Sequence, residues 1–91
     1  MTVQSMNTTK INTEYMYKIT DALLQNDYTY ISVTNNVCKY VKGNVEFIRE
    51  KIPYRHMYIY KFTLKRLNME DVEYTKKQQV KGLLEIIPTL T

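Results

Sequence analysis

Aromatic and basic side chains interleave most densely between Tyr54 and Leu67, where the sequence reads YRHMYIYKFTLKRL. These residue types point to binding chemistry, because a tyrosine ring offers a large apolar contact with a polar hydroxyl, and lysine and arginine attract anionic groups. The chain of 91 residues has nine tyrosines, no tryptophan and only two phenylalanines. Tyrosines serve at the margin of a core, in a protein interface or as a platform for stacked bases.

A nucleic-acid site is one interpretation of this segment. In a strand over His56–Leu67, Tyr58, Tyr60 and Arg66 would lie on one face, and Lys61 and Lys65 on the other. The two tyrosines would stack on bases while the basic residues contact phosphates. The same site would also use the lysines near the C-terminus, Lys76, Lys77 and Lys81. The competing interpretation is that the aromatic face lines the core, as apolar strand faces usually do.

A protein-binding site is the interpretation that we favour. Tyr54 and Arg55 follow Pro53 at a predicted turn, and an exposed Tyr–Arg pair is typical of the anchors that dominate interfaces. Tyr40 and Tyr74 are further candidates for partner contact. The net charge of +4 is low for a dedicated nucleic-acid protein. We therefore expect a small binding protein that modulates a larger partner protein by direct contact; a homo-oligomer is a weaker alternative.

The remaining reactive residues do not form a catalytic or metal-binding pattern. His56 is the only histidine and has no acidic or cysteine partner nearby in the sequence. Cys38, the only cysteine, is expected to be a small buried apolar residue rather than a nucleophile. The sequence has no glycine-rich phosphate loop, nucleophile elbow or metal-ligand spacing. It therefore predicts no enzymatic activity, no cofactor and no metal.

The amino-acid composition limits the classes of protein to which this chain can belong. A single cysteine excludes an intramolecular disulfide and indicates a reducing compartment. No segment approaches the roughly 18 apolar residues of a membrane span, so we expect a cytoplasmic protein without membrane contact. Lysine, tyrosine, isoleucine and asparagine are abundant and Ala22 is the only alanine, which indicates an AT-rich genome. That bias fits an accessory factor of a phage, virus or mobile element, acting in the host cytoplasm.

The elements that must position these residues begin with a helix. Residues 1–10 are expected to be flexible, and residues 11–91 to form a single domain. Asn12 is a good N-cap, and Ile11 and Met16 form a candidate hydrophobic staple around it. Apolar residues then recur at helical spacing until a stop near residues 25–27.

Strands are predicted for the middle of the chain. The segments 28–34, 37–42 and 45–50 alternate or are rich in β-branched and aromatic residues, and His56–Leu67 is the strongest strand. They predict an antiparallel β-meander of three to four strands. The alternative is a winged helix-turn-helix in which residues 28–52 form short helices. We favour the meander because these residues are poor helix formers.

A second helix is predicted at the C-terminus, which makes the fold class α+β. Asn68 is the candidate N-cap, Leu67 and Val72 the candidate staple, and Pro88 ends the helix. In a second interpretation, Gly82 caps this helix and residues 83–87 form a short strand. The order helix–strands–helix, with lysines on the last helix, resembles double-stranded-RNA-binding domains, although the small alanines that pack that helix are missing here.

Overall fold

The structure is a computed structural model that describes residues 9–90. It consists of two helices and a five-stranded sheet. In chain order the elements are α1 (Thr13–Gln25), β1 (Thr29–Ser32), β2 (Val37–Lys42), β3 (Val45–Tyr54), β4 (Met57–Arg66), β5 (Val72–Tyr74) and α2 (Val80–Ile86), with short 3₁₀ turns at Lys77–Gln79 and Ile87–Thr89. The α+β class and the order helix–meander–helix are confirmed, and the meander has five strands rather than three to four.

Helix α1 starts and stops where its sequence signals predict. The Asn12 side-chain oxygen accepts a hydrogen bond from the backbone N–H of Tyr15 at 3.0 Å, which satisfies one of the free donors of the first turn. At the other end, the Asn26 side chain donates to the carbonyl of Ala22 at 2.8 Å. Ile11 and Met16, the predicted staple, are both buried.

The sheet is an antiparallel meander in the order β1-β2-β3-β4-β5. Gly43 has φ +58° in the turn between β2 and β3, a conformation that favours glycine. The register places Tyr40 opposite Phe47 and Phe47 opposite Leu64, so these three side chains share one face. Because residues 28–52 supply three strands rather than helices, the winged helix-turn-helix alternative is excluded.

Both helices pack on that face of the sheet. The buried apolar cluster joins residues of both helices to the inner face of β2, β3 and β4. Its fully buried members are Ile11, Ile19, Leu23, Phe47, Phe62, Leu64, Leu83 and Ile87. On the opposite face of the five strands no side chain is fully buried, and Lys–Glu pairs such as Lys39–Glu46 at 3.9 Å lie across it.

The C-terminal helix begins later than predicted. Asn68 is not its N-cap: it has φ +62° in the turn after β4. Val72, predicted as a staple residue, lies in β5 opposite Leu64, because pairing with β4 outweighs a local helix signal. Gly82 lies inside α2 and caps nothing, so the interpretation with a strand at residues 83–87 is also wrong. Pro88 lies in the 3₁₀ turn that follows α2.

The start of the described chain is tied to the C-terminal region. The backbone N–H of Lys77 donates to the carbonyl of Thr9 at 2.7 Å, and Lys10 forms a β-bridge with Lys76. The rest of the segment predicted to be flexible, residues 1–8, lies outside the described residues. Between residues 9 and 90, neither helix has the length and apolarity of a membrane span.

Candidate binding surfaces

The hairpin of β3 and β4 extends past its neighbours in the sheet. Pairing between β2 and β3 ends at Val37–Glu50, and one further hydrogen bond joins the Lys51 N–H to the Asn36 carbonyl at 2.8 Å. On the other side, the last contact is the bridge between Ile11 and Tyr60. Beyond these points, within the described part of the chain, residues 52–59 pair only with each other. We call this segment the hairpin tip.

The hairpin tip exposes large apolar side chains on both of its faces, Ile52 and Met57 on one and Tyr58 on the other. Ile52 is 38% exposed, Met57 42% and Tyr58 45%. Cations lie against the tyrosines: the Arg55 guanidinium is 5.5 Å from the centre of the Tyr54 ring, and the Lys51 ammonium is 4.6 Å from that of Tyr58. A shallow cavity of about 230 Å³ is lined by Pro53, Arg55, His56, Met57 and Tyr58. The tip therefore combines apolar area, aromatic rings and positive charge, the mixture found at interface hot spots.

Arg55 has an unusual backbone conformation. Its φ is +59°, in the left-handed region that costs a residue with a Cβ roughly 1–2 kcal/mol and that glycine adopts freely. Tyr54 and Met57 are register partners, so Arg55 is the first residue of a two-residue turn. At that position glycine or asparagine would serve the turn better. The arginine side chain is exposed and contributes nothing to the core, and strain of this kind is typical of functional positions.

Two of the four predicted partner-binding residues, Tyr40 and Tyr74, pack in the core or against it. Tyr40 is 3% exposed, and its hydroxyl oxygen accepts a hydrogen bond from Arg49 at 3.3 Å. Burial raises the pKa of Tyr40 to about 12, although the positive charge of Arg49 acts in the other direction. Tyr74 is half-buried against the core, and burial raises its pKa as well. Only Tyr54 and Arg55 lie together, at the hairpin tip.

The predicted nucleic-acid residues do not form one surface. Tyr58 and Tyr60 are on the sheet face that carries the helices, and Tyr60 is only 5% exposed. Lys61 and Lys65 are on the opposite face, where Lys61 pairs with Glu50 and Glu73 and Lys65 pairs with Asp71. Arg66 is half-buried, on the same face as the tyrosines. Bases stacked on the tyrosines would therefore lie across the sheet from the two lysines.

The C-terminal lysines belong to a different surface. Lys76, Lys77 and Lys81 are exposed, and the last two line a groove between α1 and α2 with Lys18 and Tyr15. Tyr15 is one of the apolar residues that recur at helical spacing in α1, and the sequence did not single out Lys18. Their spacing of three residues, which makes helical side chains neighbours, was the available signal.

Potential catalytic residues are dispersed. His56 is exposed at the hairpin tip, and Cys38 is a free, buried cysteine in the core, as predicted. Across the described residues 9–90, no three His, Cys, Asp or Glu side chains lie close enough to hold a metal ion.

Comparisons with known proteins cover both sequence and fold. No protein-family model, curated protein or solved structure matches this chain.

Proposed function

We propose that the protein is a small non-enzymatic binding protein that modulates a larger partner protein through its hairpin tip. The observation that carries the proposal is the strained, exposed Arg55 between Tyr54 and the exposed Met57 and Tyr58. A residue that costs stability at a turn, beside apolar side chains that no element within residues 9–90 covers, is best accounted for by contact with another molecule.

The chemistry of the tip indicates the kind of surface that it contacts. Arg55 and Lys51 are cations set against tyrosine rings, and neither forms a salt bridge among the described residues. An acidic partner surface with an apolar pocket would complement them. The AT-rich composition supports an accessory factor of a phage, virus or mobile element, working in the host cytoplasm.

Nucleic-acid binding remains the alternative. Its support is the pI of about 9.2 and the exposed lysines 76, 77 and 81. Against it, Lys61 and Lys65 lie on the face of β4 opposite to Tyr58 and Tyr60, and both lysines already have acidic partners. Binding to a labelled oligonucleotide across a salt series separates the two functions, since phosphate contacts weaken steeply with salt. Tight, salt-sensitive binding would overturn the protein-only proposal.

The direct test is quantitative affinity capture from the host, with nuclease-treated lysate. The bait variant Y54S/R55G/Y58S removes the anchors of the tip, and the glycine suits the backbone at position 55. The matched control is L67S/M69S, which alters two exposed apolar side chains outside the tip, 65% and 55% exposed. We expect one protein to be captured by the wild type and the control but lost with the tip variant. Equal capture by all three baits would contradict the proposal.

A further inference from the structure

A groove between the two helices has the form of a ligand site. It lies between α1 and the C-terminal helix, with a volume of about 610 Å³. Its floor is apolar and consists of Tyr15, Val80 and Leu84, of which Val80 is only 4% exposed. Cavities that hold small molecules have volumes of roughly 300–1,000 Å³ and a mainly apolar lining. The groove shares no lining residue with the cavity at the hairpin tip.

The rim of the groove has an excess of positive charge. Lys18, Lys77 and Lys81 line it, against a single acidic residue, Glu85. The Lys18 and Lys77 ammonium groups lie 5.1 and 5.2 Å from the centre of the Tyr15 ring. Such cation–π contacts hold an ammonium in place while leaving its hydrogen-bond donors free for an anion.

These lysines differ from the paired lysines on the sheet face that carries no helix. Lys39, Lys61 and Lys65 each form a salt bridge with a carboxylate. Lys18, Lys77 and Lys81 form none within residues 9–90. These ammonium groups have no carboxylate partner among the described residues and lie beside an apolar floor. Such a site is complementary to an amphiphilic anion, which carries a negative head and an apolar chain.

We propose that this groove binds a small amphiphilic anion, a molecule with an apolar chain and one carboxylate. The chain would cover Tyr15, Val80 and Leu84, and the carboxylate would accept hydrogen bonds from the lysines of the rim. The proposal is independent of the function assigned to the hairpin tip.

Dodecanoate is a suitable probe, titrated into the full chain below its micelle concentration and followed by NMR of backbone amides and methyl groups. We expect one molecule to bind, with shifts centred on Tyr15, Val80 and Leu84. Dodecyltrimethylammonium has an alkyl tail of similar length with a positive head, and it should bind at least about tenfold more weakly. Equal affinity for both probes would overturn the proposal.

Charge-removing variants then show which lysines bind the carboxylate. K18Q/K77Q/K81Q changes only exposed side chains and should weaken dodecanoate binding at least about tenfold. The control K39Q/K51Q/K65Q removes the same number of charges elsewhere and should leave the affinity unchanged. Equal loss in both variants would show a general charge effect and overturn the site. In the free chain, nuclear Overhauser contacts from Val3 or Met6 to the Leu84 methyls would assign the groove to the N-terminal segment and also overturn it.

Discussion

Tyr40 and Tyr58 show that the role of a tyrosine in this sheet depends on whether a helix covers its side chain. Both are on the face of the sheet that carries the helices, yet Tyr40 is 3% exposed and Tyr58 is 45% exposed. Alternation along a strand predicts the face of each side chain, and it did so for Tyr58 and Tyr60. It cannot predict where the helix layer ends, because that depends on tertiary packing. Tyr40 was thus expected at a surface and belongs to the core.

Burial of Tyr40 predicts a loss of stability at alkaline pH. Its pKa is raised to about 12, above the ordinary value of 10.0, so the folded state keeps a proton that the unfolded state loses. The stabilisation is complete below about pH 10 and is lost as the pH rises to about 12, at up to about 1.4 kcal/mol per pH unit. Urea unfolding across this range should show a steeper decline for the wild type than for Tyr40→Phe. Tyr28 and Tyr74, whose pKa values burial also raises, are present in both proteins. If stability declined with pH equally in the wild type and in Tyr40→Phe, the loss of stability could not be assigned to Tyr40.

At the scale of elements, sequence signals predicted helix and strand bounds correctly where the stabilising contacts join residues close in sequence. The cap of α1 is a contact between residues three apart, and the strand bounds of β2 follow from residue type and the Gly43 turn. The signals failed at Asn68–Glu73, where an asparagine followed by two acidic residues imitates a helix start. Those residues instead form a turn and β5, which pairs with Phe62–Leu64. Strand pairing between distant segments has no local signature.

The N-cap of α1 gives a prediction at this scale. Asn12→Ala removes the acceptor of the Tyr15 N–H and should lower the free energy of unfolding by about 0.5–2 kcal/mol. Asn12→Asp keeps the acceptor and places a negative charge at the helix N-terminus, so it should be neutral or stabilising. Chemical denaturation of both variants measures the difference. An alanine variant as stable as the aspartate variant would show that this hydrogen bond does not stabilise the helix.

At the scale of the whole molecule, the described residues 9–90 form a single apolar cluster that has to hold two helices on one side of a five-stranded sheet. The opposite face adds little, because its ion pairs are partly exposed and such pairs contribute about 0–1 kcal/mol each. Stability should therefore depend on a few side chains where both layers meet. Phe47 is one of them: it is fully buried, and its ring contacts Tyr28 edge to face at 5.7 Å between ring centres.

Phe47→Ala should accordingly lower the free energy of unfolding by about 3–5 kcal/mol, since it removes buried apolar area and leaves a cavity. That is a large share of the roughly 5–15 kcal/mol typical of a whole domain, so the transition in urea should move to a much lower concentration. Leu67→Ala is the control, because that side chain is 65% exposed and its loss should change stability by less than about 0.5 kcal/mol. Equal shifts for the two variants would mean that the helices do not rest on this face of the sheet. A large shift for Phe47→Ala alone would support the packing of the helices on this face of the sheet. In that arrangement, exposed side chains of the hairpin tip and of the groove rim can be substituted without unfolding the protein.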